Sequence, residues 1–213
     1  MPAIFQISAN TPVQIFLLTC NLVVLICTFA VIVAVLIDFA QFQERNRVKK
    51  EKKSIVETGT MFLFFFLFYA LLRFKLGQIS MPLTADRMAL AVVGLLLVLV
   101  GAFVNVQGRL NLGKNWSNQI KIYADHYFVS SGMYSFVRHP LYGSIIWMFF
   151  GASLVYGNYL ALLSNVVIFI PAMYFRAKQE ERLLAKEFPA YKDYQKKVGM
   201  FFPKLLNKKY EKV

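Results

Sequence analysis

Histidine and cysteine each occur only twice in these 213 residues, and only 16% of the chain is charged. Each scarcity closes a class of function. His126 and His139 lie far apart, and Cys20 and Cys27 fall inside one apolar run. That is a poor ligand set for a metal such as zinc. There is no CxxC motif, and two cysteines at that spacing on one helix cannot reach disulfide geometry, so the redox compartment is not legible. No GxGxxG follows a strand, and neither GxxxxGK[ST] nor GxSxG occurs. The common dinucleotide, P-loop and α/β-hydrolase signatures are therefore absent. Charged residues make up ~25% of an ordinary soluble domain; here hydrophobic residues reach 58% and mean hydropathy is +0.52. Such a chain cannot hide its apolar surface by folding in water. It reads as an all-α integral membrane protein, a single domain over residues 1–213 with four to six spans.

What is present is a series of apolar runs. Met1 to Ile37 carries no charge, and Val13 to Ile37 is nearly all apolar. With no basic n-region and too long a core for a signal peptide, this is expected to be a first transmembrane helix. A charged segment, Asp38–Glu57, leads into a phenylalanine-rich run, Ile55–Leu72, and after a short loop Met88–Val106 is the third. From Gln107 to Pro140 the chain turns polar and aromatic, which predicts a loop with short irregular elements. Leu141–Tyr156 and Tyr159–Phe175 are joined at Gly157-Asn158 and read as a tight helical hairpin. The tail, Arg176–Val213, has helical periodicity, with Leu183, Leu184, Phe188, Tyr191 and Tyr194 broadly on one face. Pro189 should break that helix or begin a new turn.

Net charge is +13, and the basic residues cluster at the ends of the apolar runs. Contact with anionic headgroups accounts for this better than nucleic acid does. Asp38–Glu57 holds six Lys/Arg, the tail beyond Phe175 eleven, and residues 73–87 only three. Five spans with the N-terminus outside and the C-terminus cytoplasmic place the basic segments, with 107–140, on one side. The membrane would be the plasma membrane of a prokaryote or the endoplasmic reticulum of a eukaryote.

On that face, two polar groups sit at the mouths of the hairpin: Arg138-His139-Pro140-Leu141-Tyr142, and Arg176 with Glu180-Glu181. Proline disfavours helix at the residue before it and suits the first helical position, so His139 is expected to be extended with a helix starting at Pro140. Free N–H groups at that helix start, beside Arg138, suit an anion. Taken alone, the same residues are also an ordinary basic flank of a span. Arg176 and Glu180 are spaced as an i,i+4 surface ion pair, yet arginine also clamps carboxylates and carboxylates hold hydroxyls or ammonium groups. His126, Trp116, Tyr123, Tyr127 and Phe128 read as loop and headgroup anchors.

The segment from Gly132 to Tyr142, GMYSFVRHPLY, resembles the GxYxxVRHPxY signature of the isoprenylcysteine carboxyl methyltransferase family, related to the phospholipid methyltransferases. A second family block is matched by Arg176, Glu180-Glu181-Arg182-Leu183-Leu184, Phe188, Tyr191, Tyr194 and Val198, and a third by Leu112 to Ser117. The likeness spans roughly Gly101 to Pro203; one departure is Met133-Tyr134, where many members carry Pro-Tyr. It implies S-adenosyl-L-methionine as methyl donor, held without a Rossmann domain in a cytoplasmic pocket built from the 107–140 loop and the C-terminal helix. Carried over, the cofactor-binding residues are Gly132, Tyr134, Arg138, His139, Pro140, Tyr142, Glu180 and Glu181. Arg176 matches an arginine that holds an acceptor carboxylate, and Arg138 and Arg176 are the catalytic candidates.

The resemblance implies an acceptor reached from the bilayer, foremost the carboxylate of a prenylated cysteine or a related isoprenoid. A small thiol or a phospholipid amine are alternatives, for which His139 would act as base. An NADPH-dependent sterol-type reductase and a lipid-binding scaffold without enzymatic activity are the competing classes. No metal and no nucleic acid is expected.

Overall fold

Helix α1 (Pro12–Phe42) runs unbroken for 31 residues, one hydrophobic turn after another with no glycine or internal proline to interrupt it. In this computed structural model the described residues are 12–42, 48–52, 55–79, 85–113, 120–123 and 128–204. Further helices are α2 (Ile55–Arg73), α3 (Ala85–Leu112), α4 (Pro140–Tyr156), α5 (Tyr159–Ser164), α6 (Ile170–Glu187) and α7 (Tyr191–Lys197). A 3-10 turn covers Gly132–Ser135, and a π-helical turn, Asn165–Phe169, joins α5 to α6. By length and composition three helical stretches among the described residues suffice to cross a membrane: Ile15–Gln41, Ala85–Leu112 and Tyr159–Glu187. Two more, Gly59–Arg73 and Pro140–Tyr156, are apolar but shorter.

Three expectations need correction. α3 does not stop at Val106 but continues to Leu112, so Gly108 and Arg109 are helical. Asp38 does not open a loop; it lies inside α1 and is buried. The reason is one interaction, since Arg109 donates to Asp38 Oδ2 at 2.6 Å and so carries both helices beyond their apolar runs. Finally, the charged and polar segments hold β1 (Val48–Lys52) and β2 (Ile120–Tyr123), which pair antiparallel.

α4 ends in a Schellman arrangement: the N–H groups of Gly157 and Asn158 donate to the carbonyls of Leu154 and Ser153 at 3.2 and 3.0 Å. Asn158 then caps α5, accepting from the Ala161 N–H at 2.9 Å while its amide donates to the Leu71 carbonyl at 3.1 Å. The connector after α2 docks here too, with the Ile79 N–H on the Gly157 carbonyl and the Tyr159 N–H on the Gly77 carbonyl. Arg87, at the start of α3, donates to the carbonyls of Leu154 and Val155 at 2.9 and 2.6 Å. Residues 77–79 and Arg87 thus meet the hairpin turn at one end of the bundle. The π turn sits directly before Pro171, whose missing N–H cannot close an α-helical bond to Val167.

α3 and α4 form the central pair. At Gly94 an added Cβ would lie 2.5 Å from the Gly151 carbonyl oxygen, and Gly151 faces Gly94 in the same way. The two backbones approach as closely as small residues allow between apolar helices. Phe64, Phe68, Phe149 and Phe169 interlock beside them, with centroids 4.4–6.0 Å apart. Phe62, Leu63 and Phe66 on the opposite side of α2 are over 70% exposed, as a lipid-facing surface requires.

Candidate functional site

The 3-10 turn at Gly132–Ser135 delivers the chain to α4. Gly132 stands at φ 60° against the Asn111 side chain, whose Oδ1 accepts from the Met133 N–H at 2.8 Å. A side chain at Gly132 would meet the Asn111 carboxamide, so both the φ and the space require glycine. Pro140 is the first residue of α4, as the proline rule anticipates, whereas His139 stands at φ −125°, ψ 66°, outside the helix but short of the extended conformation expected of it. The two residues before Pro140 are also pinned from the far end of the chain. The N–H groups of Arg138 and His139 donate to the carbonyls of Gly199 and Met200 at 2.8 and 3.0 Å. The strap after α7 therefore runs beside the signature segment, with Phe201 buried against Gly143.

On this frame the two polar groups meet. Arg138 Nε donates to Glu181 Oε1 at 2.7 Å, and its Nη1 donates to the carbonyls of Gln195 and Val198. His139 lies between the carboxylates, Nε2 being 3.3 Å from Glu181 Oε1 and Nδ1 3.7 Å from Glu180 Oε2. The Tyr142 hydroxyl donates to Glu180 Oε2 at 3.0 Å and accepts from Arg176 Nε at 3.1 Å. Arg176 also reaches Met61 Sδ of α2 at 3.5 Å. The surface ion pair suggested by the spacing of Arg176 and Glu180 is in fact mediated by a tyrosine from another helix.

Two carboxylates adjacent in sequence have different settings. Glu181 is 3% exposed, and its Oε2 is buried with no hydrogen-bond partner among the described residues, Lys178 Nζ standing 3.6 Å away. The Glu180 side chain is 35% exposed and faces a cavity. That cavity, about 1150 Å³, is lined at its polar end by Tyr134, Arg138, His139, Tyr142, Arg176 and Glu180. Gly132, Pro140 and Glu181 stand behind this wall, not in it. Glu181 is thus held inside the protein by Arg138 and His139 and does not face water.

The tail contributes Leu183, Leu184, Tyr191 and Tyr194 to the same cavity, and of the apolar face read from its helical pattern only Phe188 does not line it. Phe128 packs edge-on against Tyr191 and Tyr194 at 5.4 and 4.9 Å, and the Tyr194 hydroxyl donates to the Tyr134 carbonyl. Burial first, and the Glu180 charge next, holds the Tyr134 phenol well above its ordinary pKa. Burial likewise raises Tyr191 and Tyr194, so all three stay protonated hydrogen-bond donors. His126, Trp116 and Tyr127 lie outside the described residues, and nothing is described of the Tyr123 side chain.

Away from the charges the cavity is apolar. Val31 and Val35 of α1, Phe65 and Phe68 of α2, and Met148 and Phe149 of α4 line it. α1 packs on α3, whereas α2 packs on α5 and α6. Between α1 and α2 the cavity is open sideways: Leu25, Ile32, Leu36, Phe62 and Tyr69 line it and are half or more exposed.

A buried network supports the polar end from below. Arg109 binds Asp38 and also donates through Nε to Asn105 Oδ1 at 2.9 Å. Asn105 in turn donates to Ser144 Oγ at 2.8 Å. Reading the sequence missed this network, along with Asn111 and the 198–202 strap. The signal for the first was a lone acidic residue at the end of an apolar run and an arginine just past the next but one. Among the described residues, no three His, Cys, Asp or Glu side chains gather as a metal site.

Residues 92–186 match the family model of the isoprenylcysteine carboxyl methyltransferases. The match covers most of α3 through α6, including both polar groups, and leaves out α1, α2 and α7. A protein-S-isoprenylcysteine O-methyltransferase of Saccharomyces cerevisiae is 34% identical over 117 residues, covering 53% of this chain and 48% of that protein. One of Schizosaccharomyces pombe is 30% identical over 108 residues, covering 49% of this chain and 45% of its own length. The chain thus spans about half the length of the curated relatives it matches. A solved structure of a eukaryotic intramembrane Ras methyltransferase, an isoprenylcysteine carboxyl methyltransferase, aligns with TM-score 0.48 at 23% identity, over 71% of this chain and 53% of that one.

Proposed function

We propose that this chain is a membrane methyltransferase that uses S-adenosylmethionine to methylate the carboxylate of a prenylated cysteine, or of a related isoprenoid, at the cytoplasmic face. The observation that carries this reading is one continuous cavity of mixed character. Its polar end gathers Arg138, His139, Tyr142, Arg176 and Glu180, and its apolar length opens sideways between α1 and α2. A polar, water-soluble ligand and a lipid can meet only in a site of that mixed character. At about 1150 Å³ it exceeds the ~300–1,000 Å³ usual for a single small ligand.

The residues suit the cofactor. Glu180 presents a partly exposed carboxylate to the cavity; such an acceptor matches ribose hydroxyls and an ammonium group. Tyr134, Arg138, His139, Tyr142 and Glu180 would form the binding wall, with Gly132, Pro140 and Glu181 fixing its shape. Bound S-adenosylmethionine supplies an electrophilic methyl group on a sulfonium. The chain's part is alignment. Arg176 offers a planar fork to the acceptor carboxylate, and a carboxylate is ionised at neutral pH, so no proton must be removed. His139, between two carboxylates, serves in this reading to orient them and not as a base. Enclosure by Tyr191, Tyr194 and Phe128 keeps water out, and proximity with orientation is worth ~7–11 kcal/mol in well-aligned cases.

The same reading sets the topology at five spans with the N-terminus outside, α2, α4 and the α5–α6 helix completing the crossings. It is supported by the charge asymmetry and by the two connectors that share the end opposite the polar site.

The test measures binding and transfer separately. The purified protein should bind S-adenosylhomocysteine and methylate an S-prenylcysteine, and Arg176→Lys should lose most turnover on the carboxylate acceptor while retaining cofactor affinity. Binding of NADPH in place of S-adenosylhomocysteine would turn the reading to a reductase, and binding of neither to a scaffold. Full activity of Arg176→Lys would remove the carboxylate clamp.

A further inference from the structure

One hydroxyl stands between the two halves of this site. Tyr142 Oη accepts from Arg176 Nε at 3.1 Å and donates to Glu180 Oε2 at 3.0 Å. The ring that carries it is held firmly: it stacks on His139 with centroids 5.5 Å apart at 11°, and the Arg176 guanidinium lies 5.8 Å from its centre. The hydroxyl therefore has little freedom except rotation about its own C–O bond. A cation, a hydroxyl and a carboxylate in series polarise one another, because the donor on one side makes the hydroxyl a stronger donor on the other.

We propose that Tyr142 is a positioning residue that couples the occupancy of the acceptor subsite at Arg176 to that of the cofactor subsite at Glu180. This rests on the methyltransferase reading above. The coupling has a sign. An acceptor carboxylate at Arg176 draws the guanidinium's charge to itself, and the Tyr142 hydroxyl, less polarised, holds Glu180 less tightly. Glu180 is then free to accept from the cofactor, so the acceptor raises cofactor affinity. By linkage the cofactor raises acceptor affinity by the same factor. The two substrates thus gather in one site before chemistry, and a cofactor bound alone keeps its carboxylate partner half engaged by the protein.

The experiment is calorimetric titration of S-adenosylhomocysteine into the full-length protein, alone and with saturating N-acetyl-S-farnesylcysteine. The neutral sulfur of this ligand removes the direct attraction between sulfonium and carboxylate. In the unaltered protein the acceptor should tighten binding by ~5-fold or more, the low end of ordinary coupling between sites. In Tyr142→Phe, which keeps the ring and its stacking on His139, both ligands should still bind and the factor should fall to about one. The carboxyl methyl ester of the same acceptor, which carries no charge to Arg176, should give no tightening even in the unaltered protein. A coupling factor retained in Tyr142→Phe, or equal coupling by ester and acid, overturns the proposal. So does the absence of coupling in a protein that binds both ligands. Failure of the unaltered protein to bind either ligand would instead strike the methyltransferase reading itself.

Discussion

Glu180 and Glu181 carry the same charge one residue apart, and replacing each by glutamine should have unlike consequences. Glu181 is 3% exposed and bonded to Arg138, whose side chain is itself only 10% exposed. Arg138 in turn holds the carbonyls of Gln195 and Val198. Removing one partner of a buried pair leaves a charge without compensation, at a cost of ~3–5 kcal/mol. Glutamine keeps an acceptor for Arg138, and its backbone partners remain, so the loss should fall near the lower bound, ~3 kcal/mol. At ~2–4 °C per kcal/mol for a chain of this size, that is a drop of roughly 6–12 °C in Tm. Glu180, about a third exposed and hydrogen-bonded to a neutral hydroxyl, should lose under ~1 kcal/mol. The assay is thermal unfolding of both variants in one detergent at one scan rate, joined to hydrogen exchange of the amides from Tyr191 to Phe202. Exchange should quicken selectively in that segment for Glu181→Gln, because Arg138 and His139 anchor it through Gly199 and Met200. Equal melting of the two variants, or unchanged exchange in the strap, would refute the assignment of Glu181 to the frame and Glu180 to the cavity.

Gly94→Ala should cost ~1–3 kcal/mol by forcing α3 and α4 apart, measured by the same unfolding assay, since its Cβ would lie 2.5 Å from the Gly151 carbonyl oxygen; an unchanged Tm would contradict the close crossing. Asp38→Asn should cost ~3–5 kcal/mol by breaking a buried pair with Arg109, and stability equal to the parent would mean that the pair is not sustained in the bilayer. Single cysteines at Gln78 and Lys196, placed in a background without Cys20 and Cys27, should label from opposite sides of the membrane; labelling from one side would reject the topology.

The sequence alone settled which segments are apolar helices, and the structure settled what those helices meet and that β1 and β2 pair within the charged and polar segments. Long apolar runs such as that leading to Ile37 can only be helices in a bilayer, because every backbone group must be satisfied within the segment. Proline rules placed the start of α4 at Pro140 and the break before Tyr191 for equally local reasons. The candidate residues were legible too, since charge and imidazole are costly beside hydrocarbon and so mark themselves. Their division of labour was not. Glu180 and Glu181 differ only by which side of α6 meets Arg138 and which meets Tyr142, and a helix turns ~100° between them. Asp38 and Arg109 found each other across 71 residues, and β1 and β2 likewise paired across the chain. Tyr142 became a link only because its side chain, carried on α4, reaches Glu180 and Arg176 of α6. Local backbone and solvent preferences are written in neighbouring residues, whereas hydrogen-bond partners distant in the chain follow from which faces pack together.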